Sequence, residues 1–233
     1  STRFAMGDED AHQEPCQQHA VPGASVAVKP EELGSTPGLS QVWFSEHTLE
    51  ALRREVLDSG CRRSAFLSVP SVFFGLSAEE RQAHGCMLFE YDKRWADEPG
   101  FVFYDCHQPS AVDAALHGQF DLLLADPPSL MQNVLEKYAT TIKLLASPGA
   151  RIIFSTMEAF GETMYDMLKL MPREFRPLLP GFAWAESGRY AFFTNYRECA
   201  ALNKPNEELQ RLLASRQDDE EDVEEYWQSF HAT

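Results

Sequence analysis

Residues 120–129 read FDLLLADPPS, an apolar run that stops abruptly at Asp-Pro-Pro. The run is short, aliphatic and bounded by breaking residues, so it predicts a buried strand over 120–125. Pro127 and Pro128 have no backbone N–H, and neither can extend a strand ladder. Asp126 is therefore expected at the carboxyl end of the strand, where open α/β sheets bind ligands. A carboxylate beside carbonyls with no neighbouring N–H forms an acceptor cluster that suits an amino group.

Strand and helix patterns alternate on both sides of this run. Further strands are predicted over 64–69, 86–91, 101–104, 151–155, 175–178 and 190–196, and helices over 45–57, from Pro70, and over 130–145, 158–170 and 206–216. The alternation predicts an α/β fold with a doubly wound, mainly parallel sheet.

Composition divides the chain into three parts. Residues 1–39 contain four prolines and few large apolar residues, which predicts a flexible leader. Residues 40–200 carry the alternating pattern and form the predicted domain. Residues 201–233 hold a charged helix and then the acidic run DDEEDVEE, which predicts a solvated tail. The aromatic residues Tyr226, Trp227 and Phe230 would dock on the domain or on a basic partner.

The net charge of −16, from 36 acidic and 20 basic residues, disfavours affinity based on phosphate neutralisation. A basic protein partner is the easier electrostatic match. The five cysteines form no C-x-x-C pair, and the seven histidines form no H-x-x-x-H pair, so reduced thiols in a cytoplasmic protein are expected, with no metal. No apolar run approaches the length of a membrane span, and no membrane association is predicted.

Three predicted strands end in acids, namely Glu90, Asp105 and Asp126. Any one of them is explained as a helix cap or turn residue. Three on successive strands instead indicate a nucleotide-type crevice, in which an acid after the second strand commonly binds ribose hydroxyls. An acid after the third strand has the position to accept from an adenine amino group.

The loop after the first predicted strand lacks the glycines of a dinucleotide-binding loop. Residues 67–73 read LSVPSVF, so backbone cannot approach a pyrophosphate closely there. This disfavours a dinucleotide. It is less unfavourable for S-adenosylmethionine, which has no phosphate.

Six short stretches recur together in one known family. They are QVWFS at 41–45, SVPSV at 68–72, FEYDKR at 89–94, FYD at 103–105, the segment FDLLLADPP at 120–128, and NY at 195–196. In order and spacing the chain resembles the class I S-adenosylmethionine-dependent methyltransferases. More narrowly, it resembles the elongation factor 1-alpha lysine methyltransferase 1 family, earlier labelled N6-adenine-specific DNA methyltransferase 2-like.

The resemblance implies a Rossmann-like seven-stranded sheet with helices on both faces, and S-adenosylmethionine as cofactor. It also implies a role for each matching position. For the cofactor these are Ser68, Val69, Pro70 and Ser71 at the methionine end, Glu90 at the ribose and Asp105 at the adenine, with Asp126 also counted among the cofactor-binding residues. Asp126 and the Pro127 carbonyl would hold the target nitrogen, with Pro128 as the rest of the motif, and Trp43 and Phe44, with Gln41, would lie at the mouth of the site.

One position departs from the family pattern. The family carries an aromatic residue after Asp-Pro-Pro, where this chain has Ser129. That aromatic would stack on a base or pack against a lysine side chain, so Ser129 affects how a substrate binds. Four aromatic residues are candidates to replace it: Tyr138, Trp184, Tyr190 and Phe192.

Three functions are compatible with these residues. The first is a protein-lysine N-methyltransferase acting on elongation factor 1-alpha. The second is an adenine-N6 methyltransferase, which would require the base to be flipped into the site. The third is a non-catalytic binding module that keeps the fold. The family match and the acidic charge favour the first.

Overall fold

A seven-stranded sheet lies at the centre of the computed structural model, which describes residues 33–36, 38–39 and 41–216. The strands are β1 (Ser64–Leu67), β2 (Met87–Glu90), β3 (Phe101–Phe103), β4 (Phe120–Ala125), β5 (Ala146–Met157), β6 (Met171–Pro172) and β7 (Tyr190–Thr194). Their spatial order is β3-β2-β1-β4-β5-β7-β6, with β1 to β5 parallel. Strand β7 runs antiparallel to both β5 and β6. The predicted mainly parallel, seven-stranded sheet is confirmed.

Helices connect most of the strands. They are α1 (Glu46–Asp58), α2 (Pro70–Phe74), α3 (Ala78–Ala83), α4 (Gln132–Leu145), α5 (Gly161–Leu168), α6 (Ala183–Glu186) and a last helix, α7, over 207–216. Ser45 begins α1 as predicted, because its Oγ accepts a hydrogen bond from the Thr48 backbone N–H at 3.3 Å. None of the helices in the described ranges is long and apolar enough to cross a membrane. A cytoplasmic location stays a prediction.

The sheet is covered on both faces, as the residues of β4 show. Leu122 and Leu124 belong to a core cluster that includes residues of α1 and α2. Leu123 and Ala125 belong to a second cluster with residues of α4 and α5. Successive residues of a strand point to opposite faces, so a continuous apolar run is the pattern of a strand buried on both sides.

The predicted strand over 175–178 is wrong. Phe175 and Leu178 are buried, but their backbone groups bond outside the sheet. The Leu178 N–H donates to Thr48 Oγ1 at 3.0 Å, and the Leu178 carbonyl accepts from the Ser45 N–H at 2.8 Å. The sixth strand is instead the two-residue β6 beside β7. This segment therefore packs between the start of α1, which Leu178 contacts, and β7, where Phe175 stacks on Phe192.

The two ends of the chain are only partly described. In the predicted leader, Leu33 packs against the core and Thr36 Oγ1 donates to Asp92 Oδ2 at 2.6 Å. In α7, Leu209 is buried, so this helix packs on the domain. The acidic run and the terminal aromatic residues of the predicted tail lie outside the described residues.

Leu123 provides a test of this packing. Its side chain is fully buried in the central strand, so Leu123→Ala removes apolar contacts and leaves a cavity. We expect the free energy of unfolding to fall by about 2–5 kcal/mol in denaturant titration. The control Met131→Ala changes a side chain that is 61% exposed and should alter stability by less than about 0.5 kcal/mol. Equal effects of the two variants would contradict the assigned burial.

Candidate active site

The residues at the carboxyl ends of neighbouring parallel strands line a single cavity of about 690 Å³. The end of β2, the loop after β1 and the loop after β4 lie side by side there because β1 is between β2 and β4. Most of the predicted site residues contribute to the lining: Gln41, Trp43, Ser68, Pro70, Glu90, Asp105, Asp126, Pro127, Pro128 and Ser129.

Asp126 is fixed by two hydroxyl groups from neighbouring strands. Its Oδ1 accepts hydrogen bonds from Ser155 Oγ at 2.5 Å and from the Tyr190 hydroxyl at 2.8 Å. Within the described part of the chain, no hydrogen bond to Oδ2 is formed, which leaves this oxygen available to a ligand. Burial raises the pKa of Asp126 to about 6, although the hydrogen bonds from Ser155 and Tyr190 lower it.

Tyr190 remains a neutral hydrogen-bond donor to this carboxylate. Burial and the nearby charge of Asp126 raise the pKa of its hydroxyl well above the usual value. Together with Ser155, it holds Asp126 in one orientation, so that Oδ2 has a defined position in the cavity.

The two prolines and Ser129 extend the acceptor cluster. Pro127 is buried, and among the described residues none donates to its carbonyl oxygen. Pro128 is exposed. The Ser129 Oγ accepts a hydrogen bond from the Met131 N–H at 3.3 Å, which turns the chain toward α4. The position after Asp-Pro-Pro thus supplies a turn residue and no aromatic ring.

Glu90 is buried at the end of β2. Its Oε1 accepts from the backbone N–H groups of Tyr91 at 2.8 Å and Asp92 at 3.0 Å. Burial raises the pKa of Glu90 above its usual range, while these two hydrogen bonds lower it. The other oxygen, Oε2, has no hydrogen-bond partner among the described residues and is available to accept from hydroxyl groups of a ligand.

Asp105 lies in a tight turn after β3. Its two oxygens accept from the His107 N–H at 2.8 Å and from Gln108 Nε2 at 3.2 Å. The ligand-type atoms of Asp105, Cys106 and His107 lie within 4.8 Å of one another. The turn accounts for this proximity, and Lys137 Nζ donates to His107 Nδ1 at 2.9 Å. We assign no metal to this cluster.

Ser68, in the loop after β1, adopts a backbone conformation that is typical of glycine. Its φ is +54°, in the left-handed region that non-glycine residues seldom adopt. The Phe89 carbonyl accepts from its N–H at 2.9 Å, and its Oγ lies 2.6 Å from the Tyr138 hydroxyl. The loop therefore reaches a tight geometry without the glycines of a dinucleotide-binding sequence.

Three predicted site residues lie outside the cavity lining. Val69 is buried at the position just before α2, and Ser71 is buried within α2. Phe44 is buried in the core and packs on Phe192, with ring centroids 5.7 Å apart. Their contribution in this structure is to packing, and their predicted ligand contacts stay predictions.

The segment before Trp43 is tied to the loop after β2. Gln41 Nε2 donates to Asp92 Oδ2 at 3.1 Å, and Arg94 Nε forms an ion pair with the same oxygen at 3.0 Å. Arg94 Nη1 also donates to the Leu33 carbonyl at 2.8 Å. These contacts hold Gln41 at the cavity, which it lines.

Ser155 and Phe182 are among the contributors to the site that sequence reasoning missed. Ser155 lies near the end of β5, next to β4, and its strand-end position was the available signal. Phe182 comes from the connection before α6 and lines the cavity without any strand or motif to mark it. Of the four candidate replacements for the motif aromatic, Tyr138 and Tyr190 line the cavity, Phe192 belongs to the core, and Trp184 is 42% exposed and outside the lining.

A family model described as "Probable N6-adenine methyltransferase" matches residues 36–198, a range that includes the whole cavity lining. The chain belongs to this family. The predicted enzyme class, an S-adenosylmethionine-dependent methyltransferase, is therefore confirmed.

Curated relatives of this chain within the family carry the names of lysine methyltransferases. "EEF1A lysine methyltransferase 1" of Mus musculus is 32% identical over 164 residues, covering 68% of this chain and 73% of that protein. The Danio rerio protein of the same name is 36% identical over 148 residues, covering 60% and 87%. "Protein-lysine N-methyltransferase EFM5" of Saccharomyces cerevisiae is 28% identical over 180 residues, covering 70% and 72%. The resemblance stated from the sequence is confirmed.

The cavity fits S-adenosylmethionine in size and chemistry. Its volume is within the range of about 300–1,000 Å³ typical of small-molecule sites. The buried Glu90 carboxylate would offer Oε2 to ribose hydroxyls, and the Ser68 loop would lie at the methionine end. Asp105 would hold the adenine side of the cavity.

Proposed function

We propose that this chain is an S-adenosylmethionine-dependent protein-lysine N-methyltransferase acting on elongation factor 1-alpha. The observation that carries the proposal is the acceptor-only cluster at the end of β4, made by Asp126 Oδ2 and the Pro127 carbonyl oxygen. An amine is the ligand that satisfies two acceptors while keeping a lone pair for reaction. The names of the relatives support lysine as the amine and elongation factor 1-alpha as its carrier.

When bound, S-adenosylmethionine supplies an electrophilic methyl group on its sulfonium sulfur. The protein's task is to deliver an uncharged amine in the correct orientation. Asp126 and the Pro127 carbonyl accept the two N–H groups of that amine, which directs its lone pair away from them. Positioning of this kind supplies much of the rate enhancement in a transfer between two bound groups.

Proton removal sets a second requirement. Free lysine has a pKa of about 10.4, far above that of Asp126, so this carboxylate does not deprotonate it outright. Withdrawal of the ammonium from water into the cavity lowers the lysine pKa. Asp126 then stabilises the neutral amine by hydrogen bonding.

The pH profile tests this division of roles. Because the pKa of Asp126 is raised to about 6, its carboxylate is lost as pH falls through that value. We expect the logarithm of kcat/KM, which reports the ionising groups of the free enzyme and free substrate, to rise with pH with a slope near one while the amine deprotonates, and to steepen below about pH 6. Ser155→Ala removes a hydrogen bond that lowers this pKa, so the break should move to higher pH. A break at the same pH in both proteins would contradict the assignment.

An adenine-N6 methyltransferase is the second candidate, favoured by the family description itself. An exocyclic adenine amine presents the same two N–H donors to the cluster. The net charge of −16 favours a protein substrate over nucleic acid.

Purified elongation factor 1-alpha separates these functions. We expect its mass to increase by one or more methyl groups in the presence of this protein and S-adenosylmethionine, with peptide mapping placing them on lysine. DNA and RNA oligonucleotides incubated in parallel should remain unmodified. Methylated adenine with unmodified protein would establish the second function instead.

A further inference from the structure

We propose that Phe182 forms the wall against which the substrate lysine packs its aliphatic stem, and so determines specificity for lysine. The inference rests on the proposed function. Phe182 lies in the connection between β6 and β7, and it would replace the aromatic residue that the family carries after Asp-Pro-Pro. Ser129 cannot fill that role, because its side chain is short and its Oγ accepts a hydrogen bond from the backbone leading into α4.

The ring of Tyr190 links Phe182 to Asp126, the residue at the reacting end of the cavity. It packs edge-on against Tyr190, with ring centroids 5.7 Å apart and an interplanar angle of 86°. The Tyr190 hydroxyl donates to Asp126 Oδ1 at 2.8 Å. An apolar aromatic surface thus lines the same cavity as Asp126 and is separated from its carboxylate by the ring of Tyr190.

The backbone around Phe182 is held by local hydrogen bonds. Its N–H donates to the Leu179 carbonyl at 3.0 Å, and its carbonyl accepts from Ala185 at 2.9 Å. Gly181 adopts a φ of +80°, and its N–H donates to Glu186 Oε1 at 2.8 Å. Arg216 of α7 donates in turn to Glu186 Oε2 at 2.7 Å. The ring is therefore presented by a closed turn rather than by a free loop.

The aromatic ring of Phe182 favours a ligand that has an apolar stem and a cationic or amine end. A half-buried phenyl ring packs against methylene groups, and its face attracts an ammonium during entry. Trp43 also lines the cavity, so an extended side chain has aromatic surface available besides Phe182. A ligand of this description is a lysine side chain presented by a protein.

The test measures kcat and KM for elongation factor 1-alpha with Phe182→Leu and Phe182→Tyr. The leucine variant keeps apolar volume but removes the ring, and we expect kcat/KM to fall about tenfold, mostly through KM. The tyrosine variant should remain within about twofold of the wild type. The Kd for S-adenosylhomocysteine should not change in either protein, because Phe182 is assigned to the substrate and not to the cofactor.

Trp184→Ala provides the matched control, since this aromatic residue lies in α6, two positions after Phe182, but outside the cavity lining. Its kcat/KM should equal that of the wild type. A leucine variant with wild-type kcat/KM, or a loss as large in Trp184→Ala, would overturn the inference about Phe182. If the wild type itself fails to methylate the factor, the proposed function fails first, so the two failures are distinguishable.

Discussion

Asp126→Asn is expected to reduce kcat for methyl transfer by about 10²–10³-fold, the cost of losing one preorganised hydrogen-bonding group at a reacting centre. The amide oxygen of asparagine would continue to accept from Ser155 and Tyr190, so its NH₂ group would take the place of Oδ2. Donor hydrogens would then meet the hydrogens of the target amine, and the amine would lose both its acceptor and its orientation. Single-turnover kinetics with bound cofactor measures this loss directly.

Cofactor binding should survive the change, because Glu90 and the Ser68 loop lie on other strands. Asp166→Asn is the matched control, since Asp166 is exposed on α5 and outside the cavity lining. It should leave kcat unchanged. An Asp126→Asn protein that turns over at the wild-type rate would contradict the assignment of Asp126 as the acceptor that orients the target amine.

Glu90→Gln is expected to weaken S-adenosylhomocysteine binding by about 10–100-fold, the factor for losing charged hydrogen bonds worth about 1.5–3 kcal/mol. The backbone N–H groups of Tyr91 and Asp92 would keep the amide oxygen at the position of Oε1. The NH₂ group would then replace the only acceptor that Glu90 offers to ribose hydroxyls. Isothermal titration calorimetry gives the change in Kd.

The control for this variant is Glu136→Gln, on the exposed face of α4. Its Kd should match that of the wild type. An unchanged Kd in Glu90→Gln would show that the cofactor lies elsewhere in the cavity or uses other groups for its ribose.

The fold was largely predictable because its pattern is local. Strand β4 has the predicted bounds, and its alternation between two cores follows from an unbroken apolar run closed by prolines. Because β2 and β4 were predicted to be parallel, their carboxyl ends, and with them Glu90 and Asp126, were expected at one edge of the sheet without any knowledge of tertiary contacts. These two predictions needed only strand direction and strand ends.

The remainder depends on contacts between distant residues. Ser155 and Tyr190 reach Asp126 across 29 and 64 positions of the chain, and no local pattern marks such a pair. The segment 175–178 has strand-like composition, yet its backbone bonds to Ser45 and Thr48 at the start of α1. Phe44 belongs to a motif stretch but packs inward on Phe192. In each case tertiary packing decided the outcome.

The most direct test of the account is the transfer of labelled methyl from S-adenosylmethionine into a cell lysate, with the wild type and Asp126→Asn compared side by side. Each product is then divided between protease and nuclease treatment. We predict a labelled band of the size of elongation factor 1-alpha that disappears with protease, survives nuclease and is absent with the variant. Label that is removed by nuclease and resists protease would contradict a protein-lysine methyltransferase.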